Sequence, residues 1–326
     1  MRSTRAFALS KSVVPFAVCF TLVFAVFAST ERVHFAPHFS VGETLRYRIE
    51  SRTTSTGTTT TPIVNPEGGS KASQAIHLIV RLDVLDSHGL PPGAVNLRAT
   101  YEKSAAESET DAFNPDATSL GDQYARLEGR SIEFTMEPGG QLSNVKGLED
   151  IFSDRSAAEP VLSWLQGIPS GPALPQDGIA IGQKWKSERP LAGSPLSGVV
   201  WRTESTYLRN EPCPSSASAP APGESSAKGG ELCAVILTRF TISRSGASNE
   251  TPDDFRRNGL RTSGSWTGSG QSLDLISLAT NLLVSSTQTS IQDMDYQITS
   301  ASTGSAIRHK GHVESDSEIA LLPPQK

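Results

Sequence analysis

The sequence predicts a mainly β protein built on a large curved antiparallel sheet, or sheets, with one or two short helices. Three observations predict this class. Apolar and polar residues alternate with a period of two over most of the chain. Clusters of Gly, Pro, Asn and Asp separate the alternating runs. Aromatic residues make up only 6% of the 326 residues, while Ser, Thr and Gly are abundant, which suits strands and loops with a polar outer face rather than a helical bundle.

The first half of the chain contains five alternating segments that predict strands. Two clear turns lie between them, at residues 86–93 (Asp-Ser-His-Gly-Leu-Pro-Pro-Gly) and 137–141 (Glu-Pro-Gly-Gly-Gln). Each turn joins two alternating segments and therefore predicts an antiparallel hairpin. The predicted strands are 45–50, 76–84, 95–102, 132–136 and 142–145.

The second half continues the same pattern. Gly268-Ser-Gly270 is interpreted as the turn of a hairpin, because glycines inside an alternating segment favour a break. The segment 282–299 predicts one long strand, or two with a bend. The predicted strands are 199–209, 232–244, 260–267, 273–278, 282–299 and 312–321.

Helical patterns are scarce. Residues 147–153 predict at most a short helical turn, and 157–166 form the best candidate helix, in which Pro160 could occupy the first turn. Two segments are predicted to be mobile because they lack the apolar content to pack: residues 53–73, rich in Thr and Gly, and the low-complexity stretch 214–230.

Residues 1–28 predict a secretory signal peptide. A basic start (Arg2, Arg5, Lys11) precedes an apolar stretch and a small-residue exit. The apolar stretch is shorter than the roughly 20 residues that cross a bilayer comfortably. We therefore expect cleavage after Ala28, with an uncleaved anchor as the alternative, and a periplasmic or extracellular location. No other stretch is apolar enough to predict a membrane span after removal of the signal.

The charge of the mature chain excludes some partners. Residues 1–28 contain three of the 29 basic residues and none of the 34 acidic ones, so the mature chain carries a net charge of about −8. This balance argues against nucleic acid and against anionic lipid surfaces as partners.

The domain organisation has two interpretations. One places a first β lobe at 29–166, a Pro- and Gly-rich connector at 167–178 and a second β lobe at 179–326; the other joins both lobes in one domain. An internal echo favours two related lobes. Phe-Ser-Val-Gly-Glu-Thr-Leu at 39–45 and Ile-Ala-Ile-Gly-Gln-Lys-Trp at 179–185 open the two halves with the same pattern.

Two cysteines remain after removal of the signal, which contains Cys19. Cys213 and Cys233 flank the low-complexity stretch, so a structural disulfide would close the base of a long hairpin loop. The alternatives are a redox-active pair, which is usually more closely spaced, and two free thiols.

Four segments carry a family resemblance: 41–47, 129–147, 181–185 and 264–286. Together they resemble an uncharacterised family of exported bacterial β-rich proteins, a domain of unknown function. The resemblance implies an envelope location and no established activity, and it offers no catalytic residues. The chain is also similar in overall pattern to the curved sheets of lipoprotein-carrier proteins, which hold an acyl chain in a concave face.

Histidines are weak candidates for a metal site. His309 and His312 are three residues apart and would share a face only on a helix, whereas this stretch predicts a turn into a strand. A metal site also needs a third ligand. We expect solvated histidines here, and the same for His34 and His38.

Acidic pairs are interpreted as solvated surface. Asp293 and Asp295 would point to the same side of a strand, where paired carboxylates can hold Ca²⁺ or transfer protons. Neighbouring glutamines favour an ordinary wet face. The run Asp253-Asp254 with Arg256-Arg257 predicts a solvated, short charged segment.

No nucleophile motif is present in the sequence. Gly264-Ser-Trp-Thr-Gly places its serine one position too early for the Gly-x-Ser-x-Gly elbow, and Gly268-Ser-Gly270 does not lead into a helix that could bind phosphate. We assign no catalytic, cofactor-binding or metal-ligating residue and expect no cofactor. The four tryptophans either fill the core or line a groove for an apolar ligand or a sugar; they are Trp164, Trp185, Trp201 and Trp266.

The sequence therefore predicts an exported, non-catalytic protein whose sheet binds an apolar ligand or an envelope component. A structural module that docks partners through strand edges and loops is the first alternative. An exported hydrolase is the second, and it predicts a cleft where histidines such as His77, His88, His309 and His312 converge with acidic residues.

Overall fold

Strands from both halves of the chain form one curved antiparallel sheet of 11 strands in a computed structural model. The order across the sheet is β5-β4-β3-β2-β1-β11-β10-β9-β8-β7-β6, where the strands are numbered along the chain. The structure describes residues 32–59, 69–111, 120–138, 140–148, 151, 165, 174–175, 177–191, 194–214, 231–244 and 250–324.

Most strands are long, and two short helices accompany them in the described ranges. The strands are β1 Thr44–Thr59, β2 Gly69–Asp86, β3 Val95–Thr110, β4 Ser131–Met136, β5 Leu142–Lys146, β6 Lys184–Pro190, β7 Val199–Pro212, β8 Leu232–Arg244, β9 Leu260–Ser277, β10 Leu283–Ser300 and β11 Ala306–Leu321. The helices are α1 Leu120–Ala125 and α2 Asp253–Arg257.

The predicted fold class is confirmed. Each half of the chain forms a meander of neighbouring antiparallel strands, and the two meanders meet where β1 pairs with β11. This pairing runs from Tyr47 opposite Leu321 to Thr59 opposite His309. Strands of both proposed lobes thus belong to the same sheet, whereas most of the connector 167–178 lies outside the described residues. The lobe boundaries themselves stay a prediction.

One face of the sheet, which we call the inner face, carries the hydrophobic core. It is marked by the buried side chains of Tyr47, Leu78 and Ile236. The largest cluster lies on β1–β4 and packs against residues outside the sheet, among them the buried Leu127 and Leu165. Two smaller clusters lie on β7–β10. Because side chains alternate across each strand, burial of this face explains the period-two pattern of the sequence.

The two segments that echo each other in the sequence form the same turn ahead of β1 and β6. Gly42 and Gly182 have φ angles of 82° and 83°, a conformation that favours glycine. Their N–H groups donate to the neighbouring strand at 2.9 and 2.6 Å. The side chains of Glu43 and Gln183 then accept the N–H three residues back, at 3.0 and 3.1 Å. The echo is therefore a structural repeat of the strand entry.

The predicted hairpin at Gly268-Ser-Gly270 is wrong. Both glycines lie inside β9, an unbroken strand of 18 residues. The ring of Phe240 on β8 occupies the space beside Gly270 that a side chain would need. These glycines therefore permit close side-chain packing over the strand rather than a turn. The hairpin turn that follows β9 lies at 278–282 instead, where Asn281 has a φ of 57°.

The predicted mobile segment 53–73 is also wrong over most of its described part. Residues up to Thr59 belong to β1 and residues from Gly69 belong to β2, and the two strands pair in register from Thr44–Asp83 to Thr58–Gly69. Threonine is favoured in strands because its branched side chain suits a pleated surface. Residues 60–68 lie outside the described residues.

Other strand predictions are confirmed with shifted ends. The last strand begins at Ala306 rather than at 312, and the segment 282–299 forms one strand, β10, with a register shift between Leu283 and Ser285. The signal peptide with its expected cleavage site at Ala28, the interior of the cysteine loop and most of the candidate helix 157–166 lie outside the described residues. Leu165 within that helix is helical and fully buried.

Candidate functional site: the inner face

Two successive rows of uncharged polar side chains cross the middle of the inner face. Cross-strand partners place the members of each row side by side across adjacent strands. Neither row contains a charged side chain. The first row consists of Ser51, Ser317, Gln288, Ser272, Thr238 and Ser205, and the second consists of Gln74, Thr53, Ser315 and Ser290. We call these ten residues the polar belt.

The polar belt differs in exposure along its length. On β7 to β9 its side chains are buried, and Ser205 and Thr238 share a hydrogen bond of 2.8 Å. On β1, β10 and β11 five members are half-buried and, among the described residues, have no side-chain hydrogen-bond partner: Ser51, Thr53, Gln288, Ser315 and Ser317. We call these five the open part of the belt. Their hydroxyl and amide groups are available to a ligand or to water.

Apolar side chains border the polar belt on one side. This apolar zone contains members of the two clusters nearest the start of β1, such as Ile49, Leu78, Ile236 and Ile276. The opposite border, toward the end of β1, is rich in aromatic rings. This aromatic zone consists of Trp201, Phe240, Trp266, Met294, Tyr296 and His309.

Close ring contacts organise the aromatic zone. Trp201 stacks on Phe240 with ring centroids 4.2 Å apart and planes 20° apart. Tyr296 and His309 face each other across β10 and β11 with centroids 5.0 Å apart. Trp266 donates a hydrogen bond from its indole N–H to a polar neighbour on β10 at 3.1 Å. The three described tryptophans are half-buried, so they form a border of the core rather than its centre; Trp164 lies outside the described residues.

Between the aromatic zone and β2, the inner face carries two glycines in place of larger residues. Gly57 on β1 faces Gly311 on β11, and the Met294 side chain approaches Gly311 from β10. A Cβ added to Gly311 would have its nearest neighbours at 3.6 Å, which is ordinary van der Waals distance. Because neither glycine carries a side chain, the inner face has a depression at this level. A Cβ fits at Gly311, whereas at Gly57 it would lie 2.9 Å from the backbone oxygen of Lys310.

Asp274 is a buried carboxylate at the boundary between the apolar zone and the polar belt. It is 4% exposed. Ser272 donates to one carboxylate oxygen at 2.9 Å, and Ser286 on β10 donates to the other at 2.6 Å. Burial raises the pKa of the carboxyl to about 6, and the two hydroxyl bonds oppose part of this rise.

An extended segment near the start of the described chain covers part of the apolar zone. Val33 forms a β-bridge with Ile179, with reciprocal backbone hydrogen bonds of 2.8 and 2.9 Å. Phe35 contacts the buried Tyr207 edge to face, with centroids 6.0 Å apart. His34 of the same segment lies against Gly178, where a Cβ would meet its ring at 3.0 Å. The aromatic zone and the open part of the belt lie further along the strands.

The histidines named by the sequence do not converge. His309 and His312 lie on opposite faces of β11, because their spacing is odd. His309 belongs to the aromatic zone and lies 3.3 Å from the hydroxyl of Thr59, so it is not simply solvated. His77 on β2 and His88 in a turn are exposed. In the described ranges no three His, Cys, Asp or Glu side chains are grouped as metal ligands.

The acidic pair on β10 does lie on one side of the strand, on the outer face, as predicted. Asp293 contacts His312 at 2.8 Å, and Asp295 accepts two hydrogen bonds of 2.7 Å from Arg308. These contacts raise the pKa of His312, chiefly through Asp293 and then Glu314, and lower the pKa of Asp295 through Arg308. Each carboxylate is thus occupied by a basic side chain.

The remaining sequence candidates have structural roles. Cys213 and Cys233 form a disulfide, with Cα atoms 4.9 Å apart, at the base of the β7–β8 connection. The charged run 253–257 forms α2 and contains ion pairs between residues three apart.

An open pocket of about 310 Å³ lies between α2 and the segment before β7; its apolar lining includes Leu191, Leu196 and Phe255.

Comparison with known proteins gives no match to a family model or to a curated protein. The resemblance to an exported family therefore stays a prediction. Among the helices of the described residues, none combines the length and the apolar character needed to cross a bilayer.

The polar belt and Asp274 were missed by the sequence analysis. The signal was present, since the positions of β1 that continue the apolar phase of Leu45, Tyr47 and Ile49 become Ser51 and Thr53. In the sequence alone, this change from apolar to polar residues suggests the end of a strand. It indicates a polar row across the sheet only if the neighbouring strands change from apolar to polar at the same level. Only the pairing register shows that they do.

Proposed function

We propose that the protein is an exported, non-catalytic binding protein whose inner face holds an amphiphilic component of the envelope. Export is supported by the predicted signal peptide and agrees with the disulfide between Cys213 and Cys233, since disulfides persist in oxidising compartments. The observation that carries the binding proposal is the succession of apolar zone, polar belt and aromatic zone on one face of the sheet.

This succession matches a molecule with both hydrocarbon and polar parts. Transfer of hydrocarbon from water to an apolar surface lowers the free energy by about 25 cal/mol per Å² of apolar surface buried. The depression at Gly57 and Gly311, bordered by Met294 and the ring of Tyr296, offers such a surface. The hydroxyls of the polar belt, two rows away along the strands, can then satisfy the polar part of the same molecule.

The arrangement of the histidines favours binding over hydrolysis. A hydrolase needs a nucleophile and a base within hydrogen-bond reach of each other. His77, His88 and His312 are distributed over the outer face and a turn, and His309 contacts the ring of Tyr296 at a tilt of 31°. The inner face therefore supports holding a ligand better than cleaving one.

The sheet edges favour binding on the face over docking through an edge. β5 and β6 form the two edges and contain only five and seven residues. β6 carries Lys184 and Lys186 and ends at Pro190, which are features that protect an edge strand from further pairing. The long strands lie in the interior of the sheet, where only parts of them, such as β3 beyond Thr100 and β9 before Thr267, extend past the strand paired on one side.

The binding proposal is tested by filling the depression with a side chain. Gly311→Leu places a side chain on the inner face with room at its Cβ, whereas the matched control Lys310→Leu places the same side chain on the outer face. Binding of the neutral apolar dye Nile red to the mature chain is measured by fluorescence, and co-purifying lipid is measured by native mass spectrometry. We expect a tenfold or greater loss of affinity in Gly311→Leu and no change in Lys310→Leu. Absence of dye binding and of bound lipid in the wild type would refute the proposal.

A further inference from the structure

The polar belt is the most specific feature of the inner face, because its composition restricts the chemistry of what can lie on it. Its two rows are two residues apart along the strands, which corresponds to ~7 Å. The open part of the belt covers three adjacent strands, β1, β11 and β10, which corresponds to ~10 Å. A polar group of this size is a mono- or disaccharide rather than a long polymer.

Charge is the first restriction. No residue of the belt is charged, so an ionic head group would lose its hydration without gaining a counter-ion. The carboxylate nearest to the belt, Asp274, would repel an anion. It is also a poor partner for a cation, since it is 4% exposed and both of its oxygens already accept hydrogen bonds from Ser272 and Ser286.

Hydrogen-bonding capacity is the second restriction. Serine and threonine hydroxyls can both donate and accept, and the amide of Gln288 does both as well. In the described part of the chain, the side chains of Thr53, Ser315 and Ser317 have no hydrogen-bond partner. Their best complement is a ligand whose groups also donate and accept, as the hydroxyls of a sugar do. A hydrocarbon lying on the belt would instead leave these half-buried hydroxyls without partners, at a cost of about 1–3 kcal/mol for each group that is buried fully.

From these two restrictions we propose that the polar part of the bound amphiphile is an uncharged glycosyl head group, and that it lies on the open part of the polar belt. This inference rests on the proposed function, because it assumes that the inner face is the binding face. The hydrocarbon part lies on the depression beside Met294 and Tyr296, which the row of Ser55, Val313 and Gln292 separates from the belt. The ligand class is therefore a neutral glycolipid.

The test compares soluble probes that share one hydrocarbon chain and differ in head group. Dodecyl maltoside, dodecanoate and dodecyltrimethylammonium are titrated into the mature chain below their micelle-forming concentrations, with calorimetric detection. We expect the maltoside to bind at least tenfold more tightly than either ion. Equal or tighter binding of dodecanoate or of the ammonium compound would overturn the head-group inference while leaving the proposed function intact. Failure of all three probes to bind would refute both.

Matched variants locate the head group. Thr53→Val keeps the branched shape and removes one hydroxyl from the inner face, and Thr54→Val makes the identical change on the outer face of the same strand. We expect Thr53→Val, and likewise Ser317→Ala, to weaken dodecyl maltoside about three- to tenfold, which is the effect of about one hydrogen bond. Dodecanoate binding should not change in either variant, and Thr54→Val should bind both probes as the wild type does. Wild-type affinity for the maltoside in both inner-face variants would show that the belt does not hold the sugar.

Discussion

The ring of Phe240 on β8 lies over Gly270, its cross-strand partner on β9. A Cβ added at Gly270 would lie 2.3 Å from the ring and 2.3 Å from the backbone oxygen of Thr289 on β10. Real side chains do not approach so closely, so only glycine fits between the two neighbours. The contact also seats Phe240 for its stacking on Trp201.

Replacement of Gly270 by alanine is therefore expected to destabilise the fold. Overpacking of a tight site typically costs about 1–3 kcal/mol, and here the clash includes backbone, which cannot move aside as a side chain can. The measurement is the free energy of unfolding in urea. Gly69→Ala is the control, because its Cβ would have nothing closer than 3.9 Å, and it should lie within about 0.5 kcal/mol of the wild type. Equal stability of the two variants would contradict the packing argument.

Asp274 is expected to make the fold less stable as the pH rises. Its pKa of about 6 in the folded state lies above the ordinary value of 3.8, so folding favours the protonated form. The stabilisation from this group is complete below pH 4 and is lost as the pH rises through 6. The two-unit difference corresponds to about 3 kcal/mol at pH 8. Asp274→Asn should therefore be more stable than the wild type at pH 8, with a difference that shrinks toward pH 4.

Urea unfolding at several pH values between 4 and 8 measures this difference. Asp316→Asn, an exposed change on the outer face of β11, serves as the control for the loss of one carboxylate and should not reproduce the effect. A constant stability difference between Asp274→Asn and the wild type over the whole range would show that this carboxyl does not titrate as described.

Loss of the disulfide is expected to lower stability by about 3 kcal/mol. The cysteines are 20 residues apart, and closing a loop of that length removes a corresponding entropy from the unfolded chain. The double variant Cys213→Ala/Cys233→Ala should unfold at a lower urea concentration than the oxidised wild type and should not respond to reductant. A wild type whose unfolding midpoint is the same with and without reductant would contradict a stabilising bond.

His312 is expected to titrate above its ordinary range because it lies between two carboxylates. Asp293 makes the larger contribution and Glu314 the smaller one. Asp293→Asn should therefore lower the pKa of His312 more than Glu314→Gln does, since each replacement removes a negative charge that stabilises the imidazolium. The pH dependence of the imidazole proton resonances in NMR spectra measures both. An unchanged midpoint in Asp293→Asn would mean that the contact does not persist in solution.

Strand positions were largely predictable because burial of one face imposes a period of two on the sequence. The strand phase of Leu45, Tyr47 and Ile49 is the phase observed in β1. The errors arose where local composition opposed the tertiary structure. Gly268 and Gly270 suggested a turn, but the neighbouring Phe240 and Gln292 occupy the space their missing side chains leave. Likewise, the Thr-rich end of β1 has no apolar phase, and it is ordered by pairing on both sides.

The binding face was less predictable than the strands that form it. Ser51 and Ser317 are 266 positions apart, and neither has a neighbour in sequence that marks it as functional. They become adjacent only because β1 pairs with β11 in one particular register. Asp274 illustrates the same difficulty. An aspartate between Leu273 and Leu275 suggests a solvated face, but the alternation of β9 places Asp274 on the inner face with Ser272, whereas Leu273 is exposed.

The pairing of β1 with β11 has a consequence for biogenesis. β1 is among the first strands to be synthesised, and its partner, which begins at Ala306, is the last. Until that partner arrives, a 16-residue strand has one edge with no neighbour, and long unpaired edges promote aggregation. Completion of the sheet thus requires that synthesis reach β11. A nascent chain truncated before Ala306 would expose the unpaired edge of β1. A chaperone that binds extended segments would have to protect this edge until β11 is synthesised.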